Sequence, residues 1–557
     1  PVASSFQFGE GGDSGLVTLR PEWTMKPQVV TWGGAKGAAL SSAPVSVTDS
    51  RAAVVGANLC KSGQRTGWSC GTILAVDYDL SVDGKVVNSI VATTCADQGD
   101  SGGPAISGTT AVGLTSAGPD TSVTPCGTRD YFSSYFPMTS LAGKTSVNTA
   151  QPNWEPLVTV ATPVVTSPAN GQLANQGGII SGTLASANAT TRIRITISGD
   201  AAGTRTVSVA ANGSWQVPLE GLSLGSHSYT ARATWNTYSQ SATVTGSFIV
   251  IEPPTVDRIA GSDRYAVAVA ISQRAFSGRA DVVYVATGGN YPDALSAAPA
   301  AVKEGAPLLL TKPGDLPDDV RAEIMRLQPK KIVVVGGSKS VSPLVYEELA
   351  GLASASIHRV DGADRYAVSR ELVRYAFDSA TLAYVATGAN FPDALSAGAA
   401  GGKSGSPVIL VNGAGSSVGA ETTALLTDHL GVSSIRIAGG PASVSPSIES
   451  ELAATVDDVT RLSGSDRFEA SLSINRDAFP AAPAPTVYLA TGLNFPDALA
   501  GAALAGMQGA PVYLVRQDCV PVGALSDIAQ LEATRVTLLG GTATLSPAVQ
   551  SLKSCSG

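Results

Sequence analysis

The second half of the chain is written three times, and that constrains the fold more than any other feature. From Val256 the sequence repeats with a period of about 100 residues. The first signature is Gly261-Ser262-Asp263-Arg264-Tyr265, which returns as Gly362-Ala363-Asp364-Arg365-Tyr366 and Gly464-Ser465-Asp466-Arg467-Phe468. The second runs from Val285-Ala286-Thr287-Gly288 into Asn290-Tyr291-Pro292-Asp293-Ala294-Leu295, and recurs over 385–395 and 489–499. The third is a strand ending in two glycines, at Gly336-Gly337, Gly439-Gly440 and Gly540-Gly541, each followed within a few residues by Ser-Pro. Pro307 to Leu310 and Ile332 to Val335 are continuous apolar runs, as buried parallel strands require. Ala-rich stretches after Pro292 and a run from Ala266 to Phe276 read as helices, the first starting behind a proline. Each copy is therefore expected to be a small open α/β unit.

These signatures resemble the type 2 cell-wall-binding repeat of Gram-positive bacteria. The resemblance implies three copies, taken as 254–353, 354–456 and 457–557, packed with pseudo-threefold symmetry and holding anionic wall polymers noncovalently. Glycine-ended strands expose backbone N–H groups where α/β sheets bind ligands. Arg264, Arg365 and Arg467 are candidate anion ligands. The alternative is that each pairs with its own Asp263, Asp364 or Asp466, or with the next copy, and serves packing alone. A formal net charge of −8 gives no broad attraction for anions, so a local basic groove is needed, with Lys330, Lys331 and Lys339 as contributors. Cys519 and Cys555, both in the last copy, are expected to form a disulfide securing the terminus.

The most specific chemical signal is Gly99-Asp100-Ser101-Gly102-Gly103-Pro104. Glycines let the backbone turn sharply around the serine. The N–H groups of Gly99 and Ser101 can point at one oxygen, while Asp100 ties the loop down from behind. The loop resembles the nucleophile loop of chymotrypsin-like serine proteases, in particular the short bacterial streptogrisin and alpha-lytic type. That resemblance implies that Ser101 is the nucleophile and that Asp13, in Gly12-Asp13-Ser14-Gly15, is the acid orienting a histidine. It implies that Ser116 hydrogen-bonds Asp13. It pairs Cys60 with Cys70 in a hairpin and Cys95 with Cys126 beside the specificity pocket; spacing alone leaves three pairings open. Thr93, Thr94, Ser116 and Gly118 are the pocket candidates. With no carboxylate at Thr93 or Thr94, cleavage after an apolar or aromatic residue is expected, and Asp97 is placed at the rim.

A serine hydroxyl needs an adjacent base. The three histidines, His227, His358 and His429, all lie beyond the protease-like residues 1–143. The family's histidine precedes the acid, and only twelve residues precede Asp13. Two explanations compete: a fragment that begins mid-chain at Pro1, with its first barrel incomplete, or a degenerate protease kept for another role. Either way little peptidase activity is expected of residues 1–557 alone.

Residues 144–156 read as a linker, with Trp154 either pinned or exposed. Residues 157–253 alternate apolar and polar at Val158–Val160, Arg192–Ile197, Thr206–Val209 and Ser228–Trp235, the period of half-buried strands. Asn212-Gly213 signals a hairpin. The region resembles the immunoglobulin-like β-sandwich modules of bacterial surface proteins and is read as a spacer, with His227 structural. Charged residues are only 14% of the chain, and its six cysteines fall in local groups, which favours disulfides and an oxidising compartment. No basic tract, apolar 18-residue run or metal or cofactor motif is found, so nucleic acid, a transmembrane segment, metal and cofactor are not expected. The expectation is a multidomain, secreted, wall-associated serine endopeptidase acting on proteins or peptides, a monomer with an internal pseudo-trimer. The alternative is a noncatalytic wall-binding or adhesion protein with a protease remnant.

Overall fold

A computed structural model describes residues 2–10, 12–18, 24–33, 43–119, 122, 124–187, 190–201, 203–290, 292–480 and 483–555. Pro1 and Tyr291, which entered the reading of the N-terminus and of the second signature, lie outside these. Two compact units result: one of Pro1–Val165, Gly182–Gln216 and Ser228–Gly246, the other of Thr166–Ser181, Val217–His227 and Ser247–Gly557.

In the first unit, strands Ser133–Pro137, Lys85–Ala92, Gly67–Val82, Asn58–Gly63, Pro104–Ser107 and Thr110–Ala117 pair in that order. The 110–117 strand pairs again with 133–137, so the sheet closes on itself. Leu59, Ile73, Ile90, Ala105, Val112 and Tyr135 fill its interior. A separate antiparallel ribbon, Val2–Gly9 with Gly12–Thr18, sets Phe8 opposite Asp13. The expected linker is not bare: Val147–Ala150 forms a helical turn, and Val147 and Trp154 pack with Val87, Phe136 and Met138. Trp154 therefore pins this segment.

Val158–Val160, expected as a strand, is irregular. Its N–H groups go to a side chain and to one isolated carbonyl, Val158 to Ser239 Oγ at 2.9 Å and Thr159 to the Val47 carbonyl at 2.6 Å, so no ladder forms. Val158 and Trp235 are nevertheless buried together against Val29, Val47 and Ile106. The alternating strands of the middle region form two sheets. One orders Val164–Ser167, Ile179–Thr183 and Ser214–Pro218; the other orders Gln172–Asn175, Val244–Ile251, Gly225–Trp235, Thr191–Ile197 and Thr204–Ser208. Asn212-Gly213 does turn the chain, with Gly213 at φ +84°. It does not make the expected hairpin, because the strands on either side join different sheets.

In the second unit each repeat supplies three parallel strands and borrows a fourth. Leu308–Thr311, Val282–Thr287 and Lys331–Val335 are completed by Ser356–Val360 from the second copy. Val408–Val411, Leu382–Thr387 and Ser434–Ala438 are completed by Asp458–Leu462 from the third. Val512–Val515, Thr486–Thr491 and Arg535–Leu539 are completed by Thr255–Ile259, the strand that opens the first copy. The Ala-rich helices Ala297–Lys303, Pro392–Ser404 and Pro496–Met507 pack on one another at equivalent positions. In the first copy Pro292–Ala294 is a 3-10 turn and the helix starts later than expected. A Cβ on Gly398 would lie 3.4 Å from that of Ala502 and 3.5 Å from that of Ala298. One turn further on, a Cβ on Gly506 would come within 3.1 Å of the Gly402 Cα and 3.0 Å of Val302.

One valine thus fills a space that three equivalent side chains could not share. Gly506→Val is expected to destabilise the chain by roughly 1–3 kcal/mol through overpacking. Val302→Gly in the same chain should restore part of that loss. A double variant no more stable than Gly506→Val, in denaturant titrations, would contradict this packing.

Candidate functional site

The loop 97–103 is built on a buried ion pair. The side chains of Lys61 and Asp100 are fully buried, with Lys61 Nζ 2.8 Å from Asp100 Oδ2. Asp100 also accepts from the N–H groups of Arg65 at 2.6 Å, Thr66 at 3.1 Å and Asp97 at 3.1 Å, and from the Thr66 hydroxyl at 2.5 Å. Burial by itself would raise the Asp100 pKa, but the hydrogen bonds from Lys61, Thr66, Asp97 and Arg65 outweigh it and hold it at about 2. Burial lowers that of Lys61. A Cβ on Gly63 would lie 2.3 Å from Asp100 Oδ1, so glycine there makes room for the carboxylate. The tether of Asp100 was anticipated; its partner Lys61 was not singled out, although it lies beside Cys60 in the hairpin motif.

The far side of the loop is clipped to the 110–117 strand. Gly102 N–H donates to the Thr115 carbonyl and Thr115 N–H to that of Gly103, both at 2.8 Å. The N–H groups of Gln98, Asp100, Gly102 and Gly103 are all engaged. Those of Gly99 and Ser101 have no acceptor among the described residues. Gly99 stands at φ +103° and Gly102 at +79°, values that side chains resist. Ser101 is exposed, and its hydroxyl donates to the Ser116 carbonyl at 3.3 Å. Ser116 Oγ in turn donates to Asp13 Oδ2 at 2.5 Å. The structure thus brings Asp13, Ser116, Ser101 and Gly99 together. Trp32, Ser62 and Gly99 to Gly103 line an open depression there.

Of the pocket candidates, Thr94 is buried and its carbonyl accepts from Ser133 Oγ at 2.7 Å. Thr93 is exposed and its hydroxyl accepts the Thr72 N–H at 2.9 Å. The Thr94 hydroxyl donates to the Leu59 carbonyl at 3.5 Å, so both threonine hydroxyls are engaged within the sheet. A Cβ on Gly118 would lie 2.6 Å from the Ala96 carbonyl oxygen. Asp97 faces Arg65 at 3.8 Å. Disulfides join Cys60 to Cys70, Cys95 to Cys126 and Cys519 to Cys555. His227 bonds the Ser223 carbonyl and stacks on Phe248, His358 stacks on Tyr375, and His429 bonds the Phe377 carbonyl.

In the repeats, the signature Asp and Arg do not pair with each other. Asp263, Asp364 and Asp466 each cap a helix, accepting two backbone N–H groups of its first turn. Arg264, Arg365 and Arg467 donate to the carbonyls of Gly288, Gly388 and Gly492 in their own copies, at 2.6, 2.6 and 2.7 Å. Arg264 also lies over Phe495 and Arg467 over Phe391, so these arginines do bridge copies. A second arginine series was missed, although it stands six residues before the first in every copy. Arg258, Arg359 and Arg461, on the borrowed strands, donate to the carbonyls of Gly540, Gly336 and Gly439 in the sheets they complete.

Asp293, Asp393 and Asp497 of the second signature face the same glycine turns. Ser340 donates to Asp293. Burial raises the pKa of Asp393 against a hydrogen bond from Ser443 and the charge of Arg467. Burial raises that of Asp497 to about 6 against Arg264 alone; among the described residues nothing donates a hydrogen bond to it.

The chain carries a trypsin-like domain at its N-terminus and three cell-wall-binding repeats. Residues 3–142 match the Trypsin family, and residues 258–346, 359–449 and 461–550 match Cell wall binding domain 2 (CWB2). The chain is 30% identical over 295 residues to N-acetylmuramoyl-L-alanine amidase LytC of Bacillus subtilis (strain 168), covering 53% of this chain and 57% of that protein. It is 38% identical over 109 residues to Streptogrisin-C of Streptomyces griseus, 19% of this chain and 22% of that one. Cwp6 from Clostridium difficile shares the fold over 69% of this chain and 67% of its own, with a TM-score of 0.50 at 19% identity. The chain spans about half the length, or less, of the curated relatives it matches.

Lys61→Met leaves the buried Asp100 charge without its counterion and is expected to cost about 3–5 kcal/mol in unfolding of the first unit. Because folding depresses the Asp100 pKa, its stabilisation is present above pH ~4 and is lost as the pH falls toward 2. Asp497 has the opposite sign. Its folded pKa is raised, so wild-type stability should rise as the pH falls from 7 through 6 and level off near 4. Asp497→Asn should stabilise the chain at pH 7.5, by up to about 3 kcal/mol, and flatten that pH dependence. Parallel pH profiles for variant and wild type in thermal unfolding would refute it.

Proposed function

We propose that the chain is a secreted serine endopeptidase unit held to the cell wall by its repeats. In this reading residues 1–143 are the peptidase part, 144–156 the connector, 157–253 an immunoglobulin-like spacer, and 254–353, 354–456 and 457–557 the wall-binding copies around a pseudo-threefold axis, in a monomer. The observation that carries the peptidase reading is the alternation of hydrogen bonding in the 98–103 loop. Its neighbours are all engaged, while the N–H groups of Gly99 and Ser101 have no acceptor among the described residues.

Ser101 Oγ is the nucleophile that attacks the scissile carbonyl carbon. The oxygen that becomes negative takes hydrogen bonds from the Gly99 and Ser101 N–H groups, which the Lys61–Asp100 pair fixes in advance. Asp13, held by Ser116, orients the base and stabilises its cationic form. That base is a histidine, and residues 3–142 contain none. The backbone at Thr93 and Thr94, with Ser116 and Gly118, forms the neutral pocket for an apolar or aromatic residue of a protein substrate. The repeats hold an anionic wall polymer.

A second reading, a noncatalytic wall-binding protein, is favoured by that missing histidine and by the Ser101 hydroxyl resting on a carbonyl instead of a base. A fluorophosphonate probe separates the two. Applied to residues 1–557 and to the full-length gene product from its host, it should label only the latter, and Ser101→Ala should abolish labelling. No labelling of either, where a control protease reacts, would leave the noncatalytic reading.

A further inference from the structure

The middle region carries a pair of like charges that its fold brings face to face. Along Thr191–Ile197 the inward residues Ile193, Ile195 and Ile197 are buried, and Arg194 and Thr196 point outward. The neighbouring Gly225–Trp235 strand buries Tyr229, Ala231 and Ala233 and turns Thr230 and Arg232 to the same face. Register sets Arg194 directly opposite Arg232 and Thr196 opposite Thr230. On the other side, Thr206 stands opposite Arg194 and Thr204 opposite Thr196. Two rows therefore cross this face, one of Thr206, Arg194 and Arg232, the next of Thr204, Thr196 and Thr230.

Directly opposed residues on an antiparallel pair have Cβ atoms about 4.5–5.5 Å apart, and like charges there are destabilising. No acid relieves this pair: the Arg194 and Arg232 side chains have no ion pair or hydrogen bond among the described residues. Arg205 is different, since Asp200 neutralises it at 2.5 Å. Arg194, Arg232, Thr196, Thr204, Thr230 and Thr243 line one depression of about 260 Å³. Thr196 and Thr204 share a hydrogen bond at 2.7 Å, which leaves one of the two hydroxyl hydrogens free to turn outward.

We propose that this face is an anion-binding site for a phosphate oxyanion, lying outside the three repeats. Two guanidinium forks match phosphate oxygens. The adjacent hydroxyl row reaches the further oxygens that a tetrahedral anion has and a carboxylate lacks. The open, flat face suits a phosphodiester within a chain as well as free phosphate. The site is independent of the peptidase reading and of anion capture by the repeats.

Hydrogen exchange on the 557-residue chain tests it, with inorganic phosphate and poly(glycerol phosphate) as separate probes and sodium chloride at matched ionic strength as the control. Peptides spanning 191–197 and 229–235 should gain protection, with the polymer effective at a phosphate concentration roughly tenfold or more below that of free phosphate if a chain is the ligand. Protection by free phosphate alone also supports the site, with a lone oxyanion as its ligand. Arg194→Gln/Arg232→Gln should abolish the protection while leaving unliganded exchange of these strands unchanged or slower, because a repulsion has been removed. Peptides from 254–557 report separately on the repeats. No protection of 191–197 and 229–235 by either probe, or equal protection in the double variant, would overturn the proposal.

Discussion

Each repeat's sheet is one strand short until another copy supplies it, and the C-terminal half of the chain depends on that borrowed strand. A buried parallel strand such as Lys331–Val335 needs hydrogen-bond partners on both edges, and its own copy provides only one. In two of the three sheets the borrowed strand comes from the next copy along the chain. In the third it comes from the first copy, Thr255–Ile259 pairing with Arg535–Leu539, and this closes the array. A single copy would expose an unpaired apolar edge, so the three copies stabilise one another and the array behaves as one unit. The second arginine series fits this logic. Arg258, Arg359 and Arg461 ride on the borrowed strands and satisfy the glycine carbonyls at the ends of the strands they join.

The same kind of constraint governs the serine loop. A buried carboxylate is costly unless paired and hydrogen-bonded. Asp100 meets that condition with Lys61 and with N–H groups drawn from two separate segments, 65–66 and 97. Those bonds fix the path of residues 97–100. The clip between Gly102, Gly103 and Thr115 fixes the other end. What remains between the two anchors is a short arch with two N–H groups that have no acceptor among the described residues. The arch is thus preorganised by groups that a substrate would never touch, so its geometry is a property of the fold, independent of whether a base is present.

Much of this was legible in the sequence where a signature has a local cause. Asp263, Asp364 and Asp466 precede helices because an aspartate there satisfies free N–H groups, and the doubled glycines mark strand ends where backbone must pass closely. The partner of a strand is not local. Val256 to Ile259 was not singled out as a strand, and nothing in it says that its neighbour lies 280 residues away. For the same reason the signature arginines read as anion ligands, or as partners of their own aspartates or of the next copy, and the glycine carbonyls at the strand ends that take their hydrogen bonds were not foreseen. Asn212-Gly213 signals a turn, and a turn forms, but a dipeptide cannot specify whether the next strand pairs with the last or crosses to another sheet. The opposition of Arg194 and Arg232 is of this kind too: it exists only once register is known.

Charge completes the picture. The chain carries a net charge of −8, so an anion must be captured locally or not at all. Within the repeats the six conserved-in-position arginines, two per copy, each direct a guanidinium nitrogen to a glycine carbonyl, and Arg264 and Arg467 also cover aromatic rings. Lys330 and Lys331, the basic pair singled out from sequence, are held by Asp281 and Glu304. A cation already engaged by an acid has a smaller net attraction to offer a ligand than one facing only water or another cation. On the middle region Arg194 and Arg232 oppose each other, and neither has an ion pair among the described residues. A region that reads from sequence as a spacer therefore has its own reason to attract an anion, alongside the repeats that follow it.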